Sequence, residues 1–488
     1  MALTIPDLFD DAVSEVADKT WLRYEDSAFT YGAAHARTAG VAGALRERGV
    51  DRGDLVLATA RNRPEYLFAW LAVVQLGAIF VPVDPSASEA ELRGLAEQVQ
   101  PRLVLVDDEL PEATAAALDR MVDVDELQAD GDSAPSLARP DDPAVLIPTS
   151  GTTGRSKLVT QTHRAYAMAG EGFPWWMELT GEDRLMTSLP LFHINAPAYS
   201  VLGSVGARAG LVLLPRFSAS TFIDSARRYG ATEFNAIGAM LEILMRQPER
   251  ADDADNPLRL CYTGPSPPED RQLEIERRFG LRIVCGYALS ETPYGLIWAR
   301  GTRPYGTLGS VRQHPTLGQV NEGRVVDGEL QLRNPAVMQG YWGMPEETER
   351  VLLPDGWLRT GDLVEDNGDG TYTFVARQKE VIRRRGENVA PVEIEEALTS
   401  HPDVEEAAVV GVPSDLSEEE IKAFVVPADL DLVAVRDWAA ERLTRFKVPR
   451  YLEAVAELPH TPTGRVSKPQ LARDRTDAEV DFDRLRAT

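Results

Sequence analysis

Cysteine is nearly absent. Cys261 and Cys285 are the only two in 488 residues, which excludes a disulfide scaffold and a cysteine-rich metal centre. Positive charge is also scarce: 51 Lys and Arg stand against 77 Asp and Glu, a net charge of −26. Such a surface repels phosphate backbones and anionic lipid, so neither nucleic acid nor membrane is an expected partner. The most apolar run, 67–81, contains Gln75 and Gly77 and falls short of the ~20 residues a spanning helix needs. The first eleven residues are acidic and lack a basic-then-apolar leader pattern, so a cytoplasmic protein is expected. No internal repeat or low-complexity tract stands out. What remains is an ordinary globular balance, 43% hydrophobic and 26% charged, with length for about three folding units.

Strand and helix signals alternate through the first third. Residues 55–59 read as a strand, and 65–76 as a helix with Pro64 in its first turn and Gly77 as its stop. Residues 79–83 read as a strand, 89–99 as a helix and 103–106 as a strand, and the rhythm resumes at 145–149, 211–214 and 283–285. This alternation predicts an α/β fold with a parallel sheet covered on both faces. From 306 to 363 short β-like runs broken by Gly, Pro and Asn predict a small barrel or meander. A compact α+β unit is expected from about Lys379, with helices near 392–398 and 432–443, strands near 406–412, 421–426 and 451–455, and a loose tail after Lys468.

The sharpest motif is Thr149-Ser150-Gly151-Thr152-Thr153-Gly154-Arg155-Ser156-Lys157, directly after a predicted buried strand. Glycines and small hydroxyl residues leave backbone N–H groups free to approach an anion, and Lys157 adds a cation. It is not the usual P-loop, because Gly154 does not immediately precede the lysine. The segment 286–292, Gly-Tyr-Ala-Leu-Ser-Glu-Thr, sets Glu291 beside Thr292, a pairing suited to Mg²⁺ shared with phosphates. Asp362, in Arg-Thr-Gly-Asp, is placed by its pattern at a tight turn, where it can accept from a ribose. Residues 377–385 concentrate base in an acidic chain, and Thr461-Pro-Thr-Gly-Arg465-Val-Ser-Lys468 presents two cations on a turn-rich segment.

In this order the motifs resemble the adenylate-forming superfamily of acyl-CoA synthetases, luciferases and peptide-synthetase adenylation domains, over essentially the whole chain. The run Arg-Arg-Arg-Gly-Glu-Asn-Val at 383–389 is most similar to the carnitine/crotonobetaine-type CoA ligases. The resemblance implies a large N-terminal domain, 1–378, of two α/β sheets and a small β-barrel, and a mobile α+β cap, 379–488. It implies that Thr149, Ser150, Gly151, Thr152, Thr153, Gly154 and Lys157 hold the triphosphate, and that Glu291 carries Mg²⁺. Thr292 would lie near the α-phosphate, Tyr287 beside adenine, and Asp362 with Arg377 on the ribose. Lys379 would be the hinge and Gly386 would line the pantetheine tunnel. His193, in Pro-Leu-Phe-His-Ile-Asn, and Asn235, Gly238, Met240 and Gly264 would line the acid pocket. Trp175 and Trp176 would either shape it or pack in a core.

The implied activity is ATP- and Mg²⁺-dependent activation of a small or medium carboxylic acid, then transfer to the CoA thiol. The sequence departs from the pattern in four places. Ser156 and Leu158 replace the usual Pro and Gly around Lys157, Ala288 follows Tyr287 in place of Gly, and Arg465 stands where the catalytic lysine is expected. Either Arg465 substitutes for it or Lys468 reaches the adenylating centre; Arg does not duplicate the compact ammonium of Lys. Asn235, where amino-acid-activating relatives carry Asp, disfavours an amino acid substrate. Two other readings stay open: adenylation with a different acceptor or acid (a carrier-protein thiol, an amine, nitrite for diazotisation), and an inactive nucleotide-binding module. A carrier protein or a second copy of the chain is the macromolecular partner left open.

Overall fold

The computed structural model describes residues 4–107, 118, 120–127, 131, 135–149, 156–264, 266–384, 387–414, 419–444, 446–461, 465–471, 476 and 478–482, with backbone alone at 239, 379, 383, 387 and 388. The chain divides into two units. The first comprises Met1–Arg324, Gln331–Arg359 and Asn367–Tyr372; the second comprises Val325–Leu330, Thr360–Asp366 and Thr373–Thr488.

The first unit is built on two large sheets. In one, Leu55–Thr59 lies between Ile79–Pro82 and Leu103–Val106, all parallel and almost wholly buried. Burial on both faces is why these strands are continuous apolar runs rather than alternating ones. The helix Pro64–Gln75 begins with Pro64, whose missing N–H costs nothing there, and ends where Gly77 adopts φ +68°. Residues 66–74 are buried all round it, so the long apolar run is a core helix followed by a central strand. The antiparallel hairpin of Pro143–Thr149 and Lys157–Thr162 continues this sheet, and Gly340–Tyr341 closes its edge.

The other sheet has Glu233–Asn235, Leu260–Thr263 and Arg282–Leu289 as parallel neighbours, with Arg184–Thr187, Gly210–Leu213 and Thr20–Tyr24 continuing on one side. On the other side the antiparallel strand Thr292–Ile297 follows. The helix Ile5–Val16 had no counterpart among the sequence expectations. Its signal is a capping box, in which the Thr4 hydroxyl accepts from the Asp7 N–H and the Asp7 carboxylate accepts from Thr4. Within 306–363, where a small barrel or meander is expected, the strands Glu322–Val326, Glu329–Arg333 and Leu358–Asp366 join Tyr372–Arg377 in a four-stranded sheet in that order.

The second unit carries Glu406–Pro413 antiparallel to Glu419–Val426, which runs parallel to Tyr451–Ala454. The helices Pro391–Thr399 and Leu432–Arg442 cover one face, through Ile394, Leu398, Val435 and Ala439 against Val409, Ile421 and Ala423. The tail differs from expectation. Val480–Asp481 pairs with Tyr451 and Leu452, and Phe482 is buried, so one apolar-polar-apolar triplet suffices to add a strand to a charged segment.

His163 starts the helix His163–Trp176 and is fully buried, with no hydrogen-bond partner at either ring nitrogen among the described residues. Burial lowers its pKa from 6.5 to about 4. The unfolded chain therefore binds the extra proton first, and stability is lost as pH falls from 6.5 towards 4. The loss from this one group amounts to about 3 kcal/mol. Urea unfolding at pH 7 and pH 4 checks this prediction: the difference between the two is expected to shrink by that amount in His163→Leu, and an unchanged difference would refute it.

Candidate active site

Thr149 and Lys157 are the last paired residues of the hairpin, and the Thr149 hydroxyl donates to the Lys157 carbonyl at 3.2 Å. The ladder thus delivers both ends of the Gly-Ser-Thr loop to one place. Ser150, Gly151, Thr152, Thr153 and Gly154 themselves lie outside the described residues. The Lys157 ammonium pairs with Glu347 at 2.6 Å and sits 4.9 Å over the ring of Tyr341. The ammonium holds the Glu347 carboxyl below its usual range. At the tip of the same ring, the Tyr341 hydroxyl donates to Glu291 Oε1 at 2.8 Å. One tyrosine therefore touches both the loop lysine and the acid expected to carry magnesium.

The Tyr341 seat is tightly made. Its backbone N–H donates to the Thr348 hydroxyl at 2.9 Å. Gly340 has φ +139°, and a Cβ there would stand 2.7 Å from Thr348 Cγ2, so a side chain would be strained twice over. Gln161 Nε2 donates to the Ser290 carbonyl and Met338 N–H to the Glu291 carbonyl, fixing the backbone that presents Glu291. Glu291 keeps Oε2 without a hydrogen bond among the described residues, and these hold no cluster of three metal-ligating side chains. One carboxylate oxygen with no protein cage fits Mg²⁺, which is ordinarily bound by one or two carboxylates plus substrate phosphates.

Thr292 is fully buried, and its hydroxyl is engaged with Asn334 at 3.1 Å from Nδ2. Ser290, on the other side of Glu291 and passed over by the sequence reading, is a partly exposed residue. Tyr287, also partly exposed, lies on Arg282–Leu289, opposite Leu296. On the acid side, Asn235 and Tyr262 are registered neighbours on adjacent strands, and Asn235 Nδ2 donates to Asn195 Oδ1 at 2.7 Å. A Cβ on Gly264 would collide with the Gly286 carbonyl oxygen, so the strand ends approach closely there. Met240 is buried, while Gly238 opens the helix Gly238–Met245 with free space around its Cα. His193 is half-buried beside Phe192, ring centroids 4.9 Å apart, and its N–H donates to the Pro190 carbonyl.

The remaining expected site residues belong to the second unit. Asp362 is fully buried and pairs with Arg377 Nε at 2.7 Å, as the expected ribose pair requires of near neighbours. It sits inside the strand Leu358–Asp366 rather than at a tight turn; Gly361, at φ +71°, kinks the strand just before it. Lys379 lies in the short turn Gln378–Glu380, and Gly386 falls outside the described residues. Lys468 bonds Glu395 at 2.8 Å and Glu380 at 3.2 Å. The Arg465 side chain is exposed, its carbonyl accepts from the Thr461 N–H at 2.7 Å, and its N–H donates to the Thr461 hydroxyl.

Two α/β sheets, a hairpin whose ends carry the Gly-Ser-Thr motif, a lysine and a glutamate joined through one ring, and a following α+β unit are the features of an adenylate-forming enzyme. The chain belongs to the AMP-binding enzyme family, which matches residues 9–342, and the AMP-binding enzyme C-terminal domain matches 393–465. It is 30% identical over 518 residues to the crotonobetaine/carnitine–CoA ligase of Salmonella agona strain SL483, covering 95% of this chain and 98% of that protein. Among solved structures it is similar to ATP-bound MatB from Rhodopseudomonas palustris, with TM-score 0.87, 26% identity and coverage of 96% of this chain and 98% of that one. It is also similar to the o-succinylbenzoate coenzyme A synthetase MenE of Bacillus subtilis in complex with ATP and magnesium ion, with TM-score 0.84, 26% identity and coverage of 95% and 98%. No helix among the described residues is long and apolar enough to cross a membrane.

Proposed function

We propose that this enzyme is an acid–CoA ligase that adenylates a small carboxylic acid and passes the acyl group to CoA. The observation that carries the reading is the Lys157–Tyr341–Glu291 chain of contacts. A cation from the loop and an acid from the strand-end motif meet at one ring, where a triphosphate with its Mg²⁺ would be held by both. When bound, Mg²⁺ supplies charge neutralisation on the phosphates.

The chain's own residues supply the rest. A carboxylate oxygen bonds to the α-phosphorus while the bond from that phosphorus to the bridging oxygen breaks, and pyrophosphate leaves with the electron pair. Lys157 takes up negative charge on the leaving group once Glu347 is displaced. The Ser290 hydroxyl, rather than that of Thr292, faces the α-phosphate, and Asp362 with Arg377 holds the ribose. The CoA sulfur then bonds to the acyl carbon, AMP departs with its oxygen, and the thiol proton goes to solvent. In this reading the second unit swings about Lys379 between the two half-reactions, and Gly386 lines the path of the pantetheine arm.

Arg465 is the cation of the adenylating step. Support comes from Lys468, whose charge is already matched by two carboxylates, so using it would strand Glu380 and Glu395. A need for ATP and CoA supports a cytoplasmic enzyme.

The test measures pyrophosphate and AMP release over a panel of acids, with and without CoA. AMP release that requires CoA is expected. Release that instead requires an amine or a carrier-protein thiol would move the acceptor elsewhere. An absence of pyrophosphate release with every acid and nitrite would overturn the adenylating reading.

A further inference from the structure

Asn62 is buried in the loop that follows the strand Leu55–Thr59. Its Nδ2 donates to the Leu189 carbonyl at 2.9 Å and to the Leu214 carbonyl at 3.2 Å, and its Oδ1 accepts from the Leu191 N–H at 2.9 Å. Leu189 and Leu214 lie just beyond the parallel strands Arg184–Thr187 and Gly210–Leu213 of the other large sheet. Thr187 joins those two ends: its hydroxyl accepts from the Leu189 N–H at 3.2 Å and its carbonyl from the Leu214 N–H at 2.9 Å. One side chain from the first sheet therefore ties down two strand ends of the second. A carboxamide suits this place, because it presents two donors and an acceptor on one planar group.

The backbone held by Asn62 leads to His193. Pro190 sits between the two clamped leucines, and its carbonyl accepts from the His193 N–H at 3.2 Å. The far end of the segment is pinned as well: Asn195 Oδ1 accepts from Asn235 Nδ2 at 2.7 Å, and Asn235 ends the strand Glu233–Asn235. Residues 189–195 are thus fastened at the carboxyl ends of strands from both sheets, with half-buried His193 between the two fastenings. In open α/β sheets a ligand binds outside the carboxyl ends of the strands. The Asn62 bonds to Leu189 and Leu191 are buried, so removing the amide leaves a carbonyl and an N–H unmatched there.

We propose that Asn62 is a positioning residue for the acid: it seats residues 189–191 so that His193 meets the oxyanion being activated. The inference rests on the adenylating reading above and adds a residue to its acid side. Asn62 acts through the backbone of one segment, so its loss raises the KM for the acid and spares the KM for MgATP. A residue that merely braced the two sheets would move both constants. Lys157 stands on a strand of the first sheet and Glu291 between two strands of the second, so the ATP side depends on the same pair of sheets.

The experiment runs ATP–pyrophosphate exchange by the full chain with formate, acetate, butyrate, benzoate, crotonobetaine and nitrite, and takes the fastest as the probe acid. Exchange reads adenylation alone, so no acceptor is needed. Asn62→Ala is expected to lower kcat/KM for the probe acid about tenfold or more, with the KM for MgATP within about twofold of wild type. In a His193→Ala background the same change is expected to cost less than about threefold, because both act through one contact. Equal rises in the two KM values, or losses at 62 and 193 that multiply in full, overturn the proposal and leave adenylation standing. Asn62→Asp keeps the acceptor for Leu191 and removes both donors, and the same split between acid and MgATP is expected. In the wild-type protein the amides of 189–193 are expected to exchange with deuterium more slowly once the probe acid joins MgATP. An unchanged rate overturns the contact, and this measurement decides the matter if neither variant folds. No pyrophosphate exchange with any of these anions overturns the adenylating reading and this inference with it.

Discussion

Arg465→Ala is expected to slow ATP–pyrophosphate exchange about 100- to 1,000-fold, the usual cost of removing one charge-stabilising group from a polar transition state. Lys468→Ala is expected to leave exchange within about fivefold while lowering the thermal midpoint, because it leaves the carboxylates of Glu380 and Glu395 without their shared cation. The two cations lie three residues apart in sequence, so a charge count treats them alike, but the structure separates them. Lys468 is mostly buried and bonded to two acids, and Arg465 is exposed. Arg465→Lys should restore much of the exchange rate, since it keeps a cation at this position. The second half-reaction, started from a preformed acyl-adenylate and CoA, should be little changed in Arg465→Ala. If Lys468→Ala abolishes exchange and Arg465→Ala does not, the assignment is reversed and the two-carboxylate contact belongs to a resting arrangement only.

The parts of this enzyme that were legible in its sequence are those set by local pattern. The strand over 55–59, the helix begun by Pro64 and stopped by Gly77, and the strand-helix rhythm of the second unit all follow from apolar period and from backbone limits of single residues. The Gly-Ser-Thr loop and Glu291 stood out for the same reason, because residue types that bare backbone N–H groups or bind hard cations are rare in such order. What sequence could not give is long-range matching. Nothing near Tyr341 or Glu347 marks them as partners of Lys157 and Glu291, since the link passes through a two-residue edge strand, Gly340–Tyr341, too short to show a period. Arg312 is invisible for a different reason: an arginine in a glycine- and proline-rich stretch reads as solvent-exposed, and only the fold shows it buried among aromatic rings. Thr292, expected near the α-phosphate, begins the strand Thr292–Ile297, and its contact with Asn334, forty-two residues away, is a long-range match that no local pattern shows.

The same chain of contacts yields the second large effect. Tyr341→Phe removes one hydroxyl and leaves the ring, so Lys157 keeps its aromatic neighbour while Glu291 loses the donor that orients it. A hydrogen bond to a charged group contributes about 1.5–3 kcal/mol, which corresponds to about a 10- to 100-fold fall in kcat/KM for MgATP. Because the lost bond holds a magnesium-type acid, the free Mg²⁺ concentration for half-maximal rate should rise as well, a change that a merely structural tyrosine would not produce. Glu347→Gln acts on the other end and in the opposite sense. It releases Lys157 from a partly exposed ion pair, so the KM for MgATP should fall by up to several-fold with no change in Mg²⁺ dependence. Titrating Mg²⁺ and ATP independently in both variants separates the two ends of the ring. A Tyr341→Phe enzyme with an unaltered magnesium curve would mean that the acid is positioned by the backbone bonds at Ser290 and Glu291 alone, and that the tyrosine serves only the packing of the sheet edge.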